Sequence, residues 1–160
     1  MYNNRAILKF LRRDVDGAAS DFECVIRLNP EIAAAHNNLG LIYEARGELN
    51  LAISVFPRAM QISPGYTESY FNRGRILAMI GDPTTAILGF DKAIMIHSED
   101  ALAYFQRGST RLLQGKAAEA EDGLEKSIAI GHNIRIFLES HIAAIKHNMS
   151  AGTPLTDALD

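Results

Sequence analysis

The sequence repeats itself every 34 residues, and this period limits the possible folds more than any other feature. A step of 34 joins several independent sets of glycine, alanine and aromatic positions. These sets are Gly40, Gly74 and Gly108; Gly47, Gly81 and Gly115; Ala18, Ala52, Ala86 and Ala120; and Phe22, Phe56, Phe90 and Leu124. A unit of this length cannot bury its apolar face alone, so such units stack on their neighbours. The chain is therefore expected to be an array of stacked repeats.

Within each repeat, apolar residues recur at helical spacing on both sides of a central turn. In the second repeat this turn contains Gly47, which can adopt the left-handed conformation that ends a helix. The first repeat has Arg13 there, so either an arginine is left-handed or the turn closes differently. We predict an all-α chain of four helix-turn-helix repeats, over about residues 1–32, 33–66, 67–100 and 101–134.

A further apolar stripe after the fourth repeat predicts a capping helix over residues 135–149. The stripe begins at Ile134 and continues through Leu138, Ile142 and Ile145. Such a helix covers the apolar face that the last repeat of a stack leaves open. We expect residues 1–149 to form a single domain and residues 150–160 to form a flexible tail.

The period and the residues placed on it resemble the tetratricopeptide repeat. The second repeat carries the resemblance at His36, Leu39, Gly40, Tyr43, Ala52, Phe56, Ala59 and Pro64. The resemblance implies a right-handed superhelical solenoid of four repeats plus the cap, in which the first helix of each repeat lines a concave groove. It also implies a non-catalytic protein–protein interaction module.

On the concave face, a carboxamide recurs at the 34-residue step, at Asn4, Asn38, Asn72 and Gln106. A carboxamide both donates and accepts hydrogen bonds, so it can pair with the backbone of an extended peptide whatever the peptide's side chains. Asparagine ladders hold peptides in this way in similar proteins. By helical spacing, the flanking candidates are Asn37, Leu41, Phe71, Arg75 and Phe105. In the competing interpretation, the amides pair with neighbouring backbone and the two phenylalanines pack within their own repeats.

The groove lacks the basic residues with which similar proteins clamp the terminal carboxylate of a chaperone tail. The matching positions are Asn3, Ile7, Asn38, Glu68 and Asn72 in one register, and Asn37, Leu41, Asn72, Leu102 and Gln106 in the next. Neither register contains a lysine or an arginine. We therefore discount acidic chaperone tails as ligands.

Composition and motifs argue against several other functions. The net charge of -3 gives no general attraction to nucleic acid, and the single cysteine, Cys24, cannot form a disulfide within the chain. The five histidines lack the spacing of a metal site, and the sequence has no phosphate loop or nucleophile elbow. No apolar run approaches the roughly 20 residues that cross a bilayer. We expect no enzyme activity, cofactor, metal, nucleic-acid partner or membrane insertion.

We predict an adaptor that holds an extended peptide or a partner protein in its concave groove. The alternative is a structural spacer or a self-association module, in which exposed end helices of separate copies stack into a homo-oligomer. The chain begins without the apolar stretch of a secretory signal, which favours a cytoplasmic location. A mature exported domain or a fragment of a longer protein is compatible with the same sequence.

Overall fold

The computed structural model describes residues 2–131, 139–140, 143 and 147. These residues form eight α-helices and contain no strand, which confirms the all-α prediction. In chain order the helices are α1 (Tyr2–Leu11), α2 (Val15–Leu28), α3 (Ala33–Ala45), α4 (Leu49–Ile62), α5 (Thr67–Met79), α6 (Pro83–Ile96), α7 (Ala101–Leu113) and α8 (Ala117–Ile130). The predicted cap over 135–149 and tail over 150–160 lie almost wholly outside the described residues.

The chain divides into two compact units, Met1–Lys92 and Ala93–Asp160. In the first unit α1 packs against α2, α2 against α3, α3 against α4 and α4 against α5. The first helices α3 and α5 also contact each other. In the second unit α7 packs against α8. These contacts are the ones expected of successive helix-turn-helix repeats, while a single domain over residues 1–149 stays a prediction.

Each second helix places one large apolar side chain against the first helix of its own repeat. Phe22, Phe56, Phe90 and Leu124 fill this position and are almost completely buried. A Cβ atom added to Gly40 would lie 2.6 Å from the ring of Phe56, so any side chain there would collide with the ring. A glycine inside a helix costs up to about 1 kcal/mol relative to alanine. Here the close contact between the helices accounts for its presence.

Three glycines and one arginine make the turns between paired helices. Gly47, Gly81 and Gly115 have φ angles of 75°, 86° and 75°. In the first repeat Arg13 takes the same left-handed conformation, with φ of 63°. Of the two alternatives that the sequence left open, the structure therefore has the left-handed arginine. Because a left-handed residue other than glycine costs about 1–2 kcal/mol, this turn is strained.

We expect Arg13→Gly to stabilise the protein by up to about 1 kcal/mol, because relief of the left-handed strain exceeds the extra entropy that glycine gives the unfolded chain. Urea unfolding followed by circular dichroism measures this change. The matched control is Gly47→Ala, which should destabilise, since a Cβ atom there meets nothing within 4 Å and only the backbone is strained. A less stable Arg13→Gly protein would contradict the strain argument.

A buried carboxylate attaches α1 to α2. The side chain of Asp21 is 5% exposed and accepts hydrogen bonds of 2.7 and 2.6 Å from Arg5. Lys9 Nζ lies 3.0 Å from the same carboxylate. The hydrogen bond from Arg5 is the main cause that lowers the pKa of Asp21 from its ordinary value of 3.8 to about 2. Ala6 is the one buried residue of α1, so this ion cluster is a large part of what holds the helix.

The pKa of Asp21 is lower in the folded protein than in the unfolded chain. The ion cluster therefore contributes fully to the stability of the folded protein above about pH 4. This contribution is lost as the pH falls towards about 2. We expect Asp21→Asn to lower the melting temperature at neutral pH and to flatten its decline over that acid range. Asp122→Asn is the control, because its pair with Lys126 is exposed and should contribute little. An Asp21→Asn acid profile parallel to that of the wild type would refute the assignment.

Candidate functional site

The first helices α3 and α5 are joined near their amino-terminal ends by a buried asparagine. Asn37, which the sequence placed among the residues flanking the groove, is 3% exposed. Its Oδ1 accepts hydrogen bonds from Ser69 Oγ at 3.3 Å and from Asn72 Nδ2 at 3.1 Å. A buried carboxamide must be paired to be tolerated, so these bonds fix the separation of the two helices.

An ion pair joins the same two helices two turns further along. Arg75 donates hydrogen bonds of 2.5 and 2.6 Å to the two carboxylate oxygens of Glu44, and both side chains are partly buried. A bidentate pair of this kind is stronger and more directional than a single bond. Arg75 therefore contributes to the site with its charge already neutralised. The pairing was missed from the sequence, where its signal was two opposite charges 31 residues apart.

The carboxamides of the predicted ladder have different environments. Asn4 is exposed, whereas Asn38, Asn72 and Gln106 are half-buried. Asn72 already donates to Asn37. The side-chain oxygen of Asn38 accepts a long hydrogen bond of 3.4 Å from Asn37 Nδ2. The side-chain N–H groups of Asn38 donate to no residue in the described part of the chain. Asn38 is thus the half-buried rung with free donors in the first unit.

Asn3 provides a further hydrogen-bond acceptor, and the 34-residue period relates it to Asn38 as Asn37 is related to Asn72. Asn3 precedes Asn37 by 34 residues, and Asn38 precedes Asn72 by the same step. The Oδ1 atom of Asn3 is buried and accepts no hydrogen bond from the described residues. One reason is that Ala35 occupies the place where Ser69 supplies a hydroxyl one repeat later. An unpaired buried acceptor costs about 1–3 kcal/mol, so a donor brought by a ligand would be favourable here.

The two candidate phenylalanines differ in exposure. Phe105 is buried between α7 and α8 in a cluster with Leu112, Ala120 and Leu124. This burial agrees with the interpretation that Phe105 packs within its own repeat. Phe71 is half-buried, and its ring centroid lies 5.9 Å from that of Phe90 on the second helix of the same repeat. Phe71 keeps part of its surface accessible, while Phe105 offers little to a ligand.

An exposed apolar residue ends each first helix, a feature that the sequence analysis did not single out. These residues are Leu11, Ala45, Met79 and Leu113, which lie 34 residues apart. All four are exposed. In the first unit they continue a stripe that begins at the ladder: Asn4, Ile7 and Leu11 on α1, Asn38, Leu41 and Ala45 on α3, and Asn72, Arg75 and Met79 on α5. The spacing i, i+3, i+7 places each set on one face of its helix.

Within the described residues no helix is long and apolar enough to cross a membrane. In the same residues no group of three or more histidine, cysteine, aspartate or glutamate side chains is placed to hold a metal ion.

Stacked helix pairs whose first helices present amide and apolar stripes define a helical-repeat scaffold. A family model described as "Tetratricopeptide repeat" matches residues 4–67. The match covers the first two repeats, and together with the repeated helix pairs it supports assignment to the tetratricopeptide repeat family. The repeats of this family are generally non-catalytic scaffolds for protein interaction.

Solved structures of the tetratricopeptide repeat protein MamA are similar to this chain. One is 26% identical, covers 81% of this chain and 71% of its own, and has a TM-score of 0.75. A second is 24% identical, covers 96% of this chain and 86% of its own, and has a TM-score of 0.79. No curated protein sequence matches the chain. The similarity to MamA supports the fold.

We expect Asn37→Ala to destabilise the protein by about 1–3 kcal/mol, because it leaves the buried Ser69 hydroxyl without its acceptor. Asn38→Ala, one residue further on, should change stability by less than about 0.5 kcal/mol, since that side chain is half-exposed and weakly bonded. Urea unfolding of the two variants measures the difference. Equal losses would show that Asn37 does not have the structural role assigned to it.

Proposed function

We propose that the chain is a non-catalytic adaptor that holds an extended segment of a partner protein along the first helices α1, α3 and α5. The observation that carries this proposal is Asn38, a half-buried carboxamide whose N–H groups have no partner among the described residues. A carboxamide of this kind can donate to the carbonyl groups of a peptide backbone. Asn4, Asn38 and Asn72 head the stripes of α1, α3 and α5, and each would meet a different part of the peptide.

The stripes also indicate the chemistry of the ligand. Below the amides lie the apolar residues Ile7 and Leu41, and the exposed Leu11 and Met79 follow. The cation on this face, Arg75, is already paired with Glu44. A segment with apolar side chains therefore fits this surface better than a strongly acidic one. Backbone recognition by the amides and side-chain recognition by the apolar residues would act together.

The test starts from a displayed library of random 12-residue peptides selected on the wild-type protein. The best peptide is then titrated calorimetrically into the double variant Asn38→Ala and Asn72→Ala. Each lost hydrogen bond should weaken binding by about 0.5–1.5 kcal/mol. Melting curves are needed as well, since Asn72→Ala also removes the bond to Asn37.

Asn50→Ala is the matched control, because this asparagine is exposed on the second helix α4. It should leave the affinity for the selected peptide unchanged. Unchanged affinity in the double variant, or a loss that is explained by partial unfolding, would return the ladder to a structural role.

Self-association through end helices is a second candidate function. The observation that favours it is the exposure of Leu8 and Leu11 on α1. Light scattering over a concentration series separates the two functions. Stacked copies would increase in mass with concentration, whereas an adaptor stays monomeric until its ligand is added.

A further inference from the structure

Leu8 on α1 is exposed at a position that is buried in the next two repeats. Its counterparts, one and two periods along the chain, are Ile42 on α3 and Ile76 on α5. These isoleucines are 1% and 0% exposed, whereas Leu8 is 55% exposed. All three residues lie on first helices of the same unit. The repeat therefore has a position built for burial that α1 leaves open.

The structure shows what covers this position in the other two repeats. Ile42 lies in one buried cluster with Ala19, Phe22 and Val25 of α2. Ile76 lies in a cluster with residues of α4, namely Ala52 and Phe56. In both cases the cover is the second helix of the preceding repeat. A cover for Leu8 is therefore an amphipathic helix that lies on α1 as α2 lies on α3.

The charges on this face specify the covering helix further. The counterpart of Arg12 is Arg46, which donates a hydrogen bond of 2.6 Å to Asp16 in the first turn of α2. Arg12 is exposed, and no carboxylate in the described part of the chain pairs with it. A covering helix with an acidic residue in its first turn would supply the partner that Asp16 supplies to Arg46. Such a pair would fix the direction and register of the helix.

We propose that the face of α1 formed by Leu8 and Arg12 is a docking site for an amphipathic helix of a partner protein. The helix carries an aspartate or glutamate in its first turn, a small apolar residue three positions later and a larger apolar residue two turns beyond that. This is the pattern of Asp16, Ala19 and Ile26 on α2. The site uses contacts different from those of the peptide-binding stripes, so either proposal can fail without the other.

A second copy of this chain does not provide such a helix among its described residues. The helices α2 and α4 already pack on α3 and α5, and α6 has no acidic residue in its first turn. On α8, the positions that correspond to Asp16 and Ala19 hold Ala118 and Glu121. That helix would leave Arg12 without its acid and would bring a carboxylate to the apolar surface of Leu8. Burying a charge in apolar surroundings is costly, which favours a partner helix over self-association.

The probe is a synthetic peptide of residues 14–29, which contains the helix-capping Asp14 and the complete face of α2. A lactam between a glutamate in place of Ser20 and a lysine in place of Cys24 holds it helical, because isolated helices of this length are marginal in water. By helical spacing, both positions lie outside the face formed by Asp16, Ala19 and Ile26. Fluorescence anisotropy of the labelled peptide, titrated with the full chain, measures binding.

Three variants of the full chain locate the binding site. We expect Leu8→Asp to weaken binding at least about tenfold, since it places a charge under the docked helix. Arg12→Asp should weaken it about three- to tenfold, and a peptide with Asp16→Arg should restore that loss. Leu28→Asp is the matched control, because Leu28 is exposed on α2 and lies outside the site. Melting curves check that each variant is folded.

Saturable binding with this pattern of loss and rescue would support the site. No binding of the peptide at millimolar protein would overturn it, as would binding that is insensitive to Leu8 and Arg12. Sedimentation equilibrium without peptide tests whether a second copy of this chain occupies the site instead. Growth in mass with concentration that Leu8→Asp abolishes would identify a second copy and would overturn the assignment to a partner helix.

Discussion

The first unit depends on one recurring contact, in which the second helix of a repeat covers the next first helix. Ile42 and Ile76 are buried in this contact, and Arg46 and Asp16 add an ion pair at its edge. Apolar burial of this kind is the main favourable term in folding, and it uses one side of each first helix. The adjacent face is left with its amides and half-exposed apolar residues. The stripes available to a ligand are thus a consequence of how the repeats stack.

Polar contacts within the stack also decide which amides remain available. Asn37 and Asn72 pair with each other, and Glu44 pairs with Arg75, so α3 and α5 are held at a fixed separation. Satisfied polar groups at partly buried positions specify one arrangement, because an alternative register would leave them unpaired. The donors of Asn72 and Arg75 in these bonds are therefore not available to the backbone of a peptide. In the proposed adaptor, structure and recognition would share one set of side chains, and Asn38 would keep side-chain donors that no described residue accepts.

The sequence predicted the helix pairs and their turns because these features depend on local spacing and on a period of 34. It placed both Asn37 and Asn38 on the groove, whereas Asn37 is buried and pairs with Ser69 and Asn72. Neighbouring residues on a helix point about 100° apart, and the choice depends on Ser69 in the following repeat. For the same reason the burial of Phe105 was left open. These cases are decided by side-chain partners in other helices, and such partners cannot be read from the spacing within one helix.

The ion cluster at Asp21 gives α1 a particular position in this arrangement. The large apolar residues of α1 are all exposed, and Ala6 is its one buried residue. A charge cluster holds the helix to α2, while the apolar position at Leu8 adds little to its stability as it stands. A helix docked over Leu8 would bury that surface and stabilise α1 in its packed state by binding only that state. Since α1 also carries Asn4, Ile7 and Leu11, the same docking event would stabilise one edge of the peptide-binding face. Occupancy of the two surfaces would then be coupled through the packing of α1, and the coupling would act in both directions.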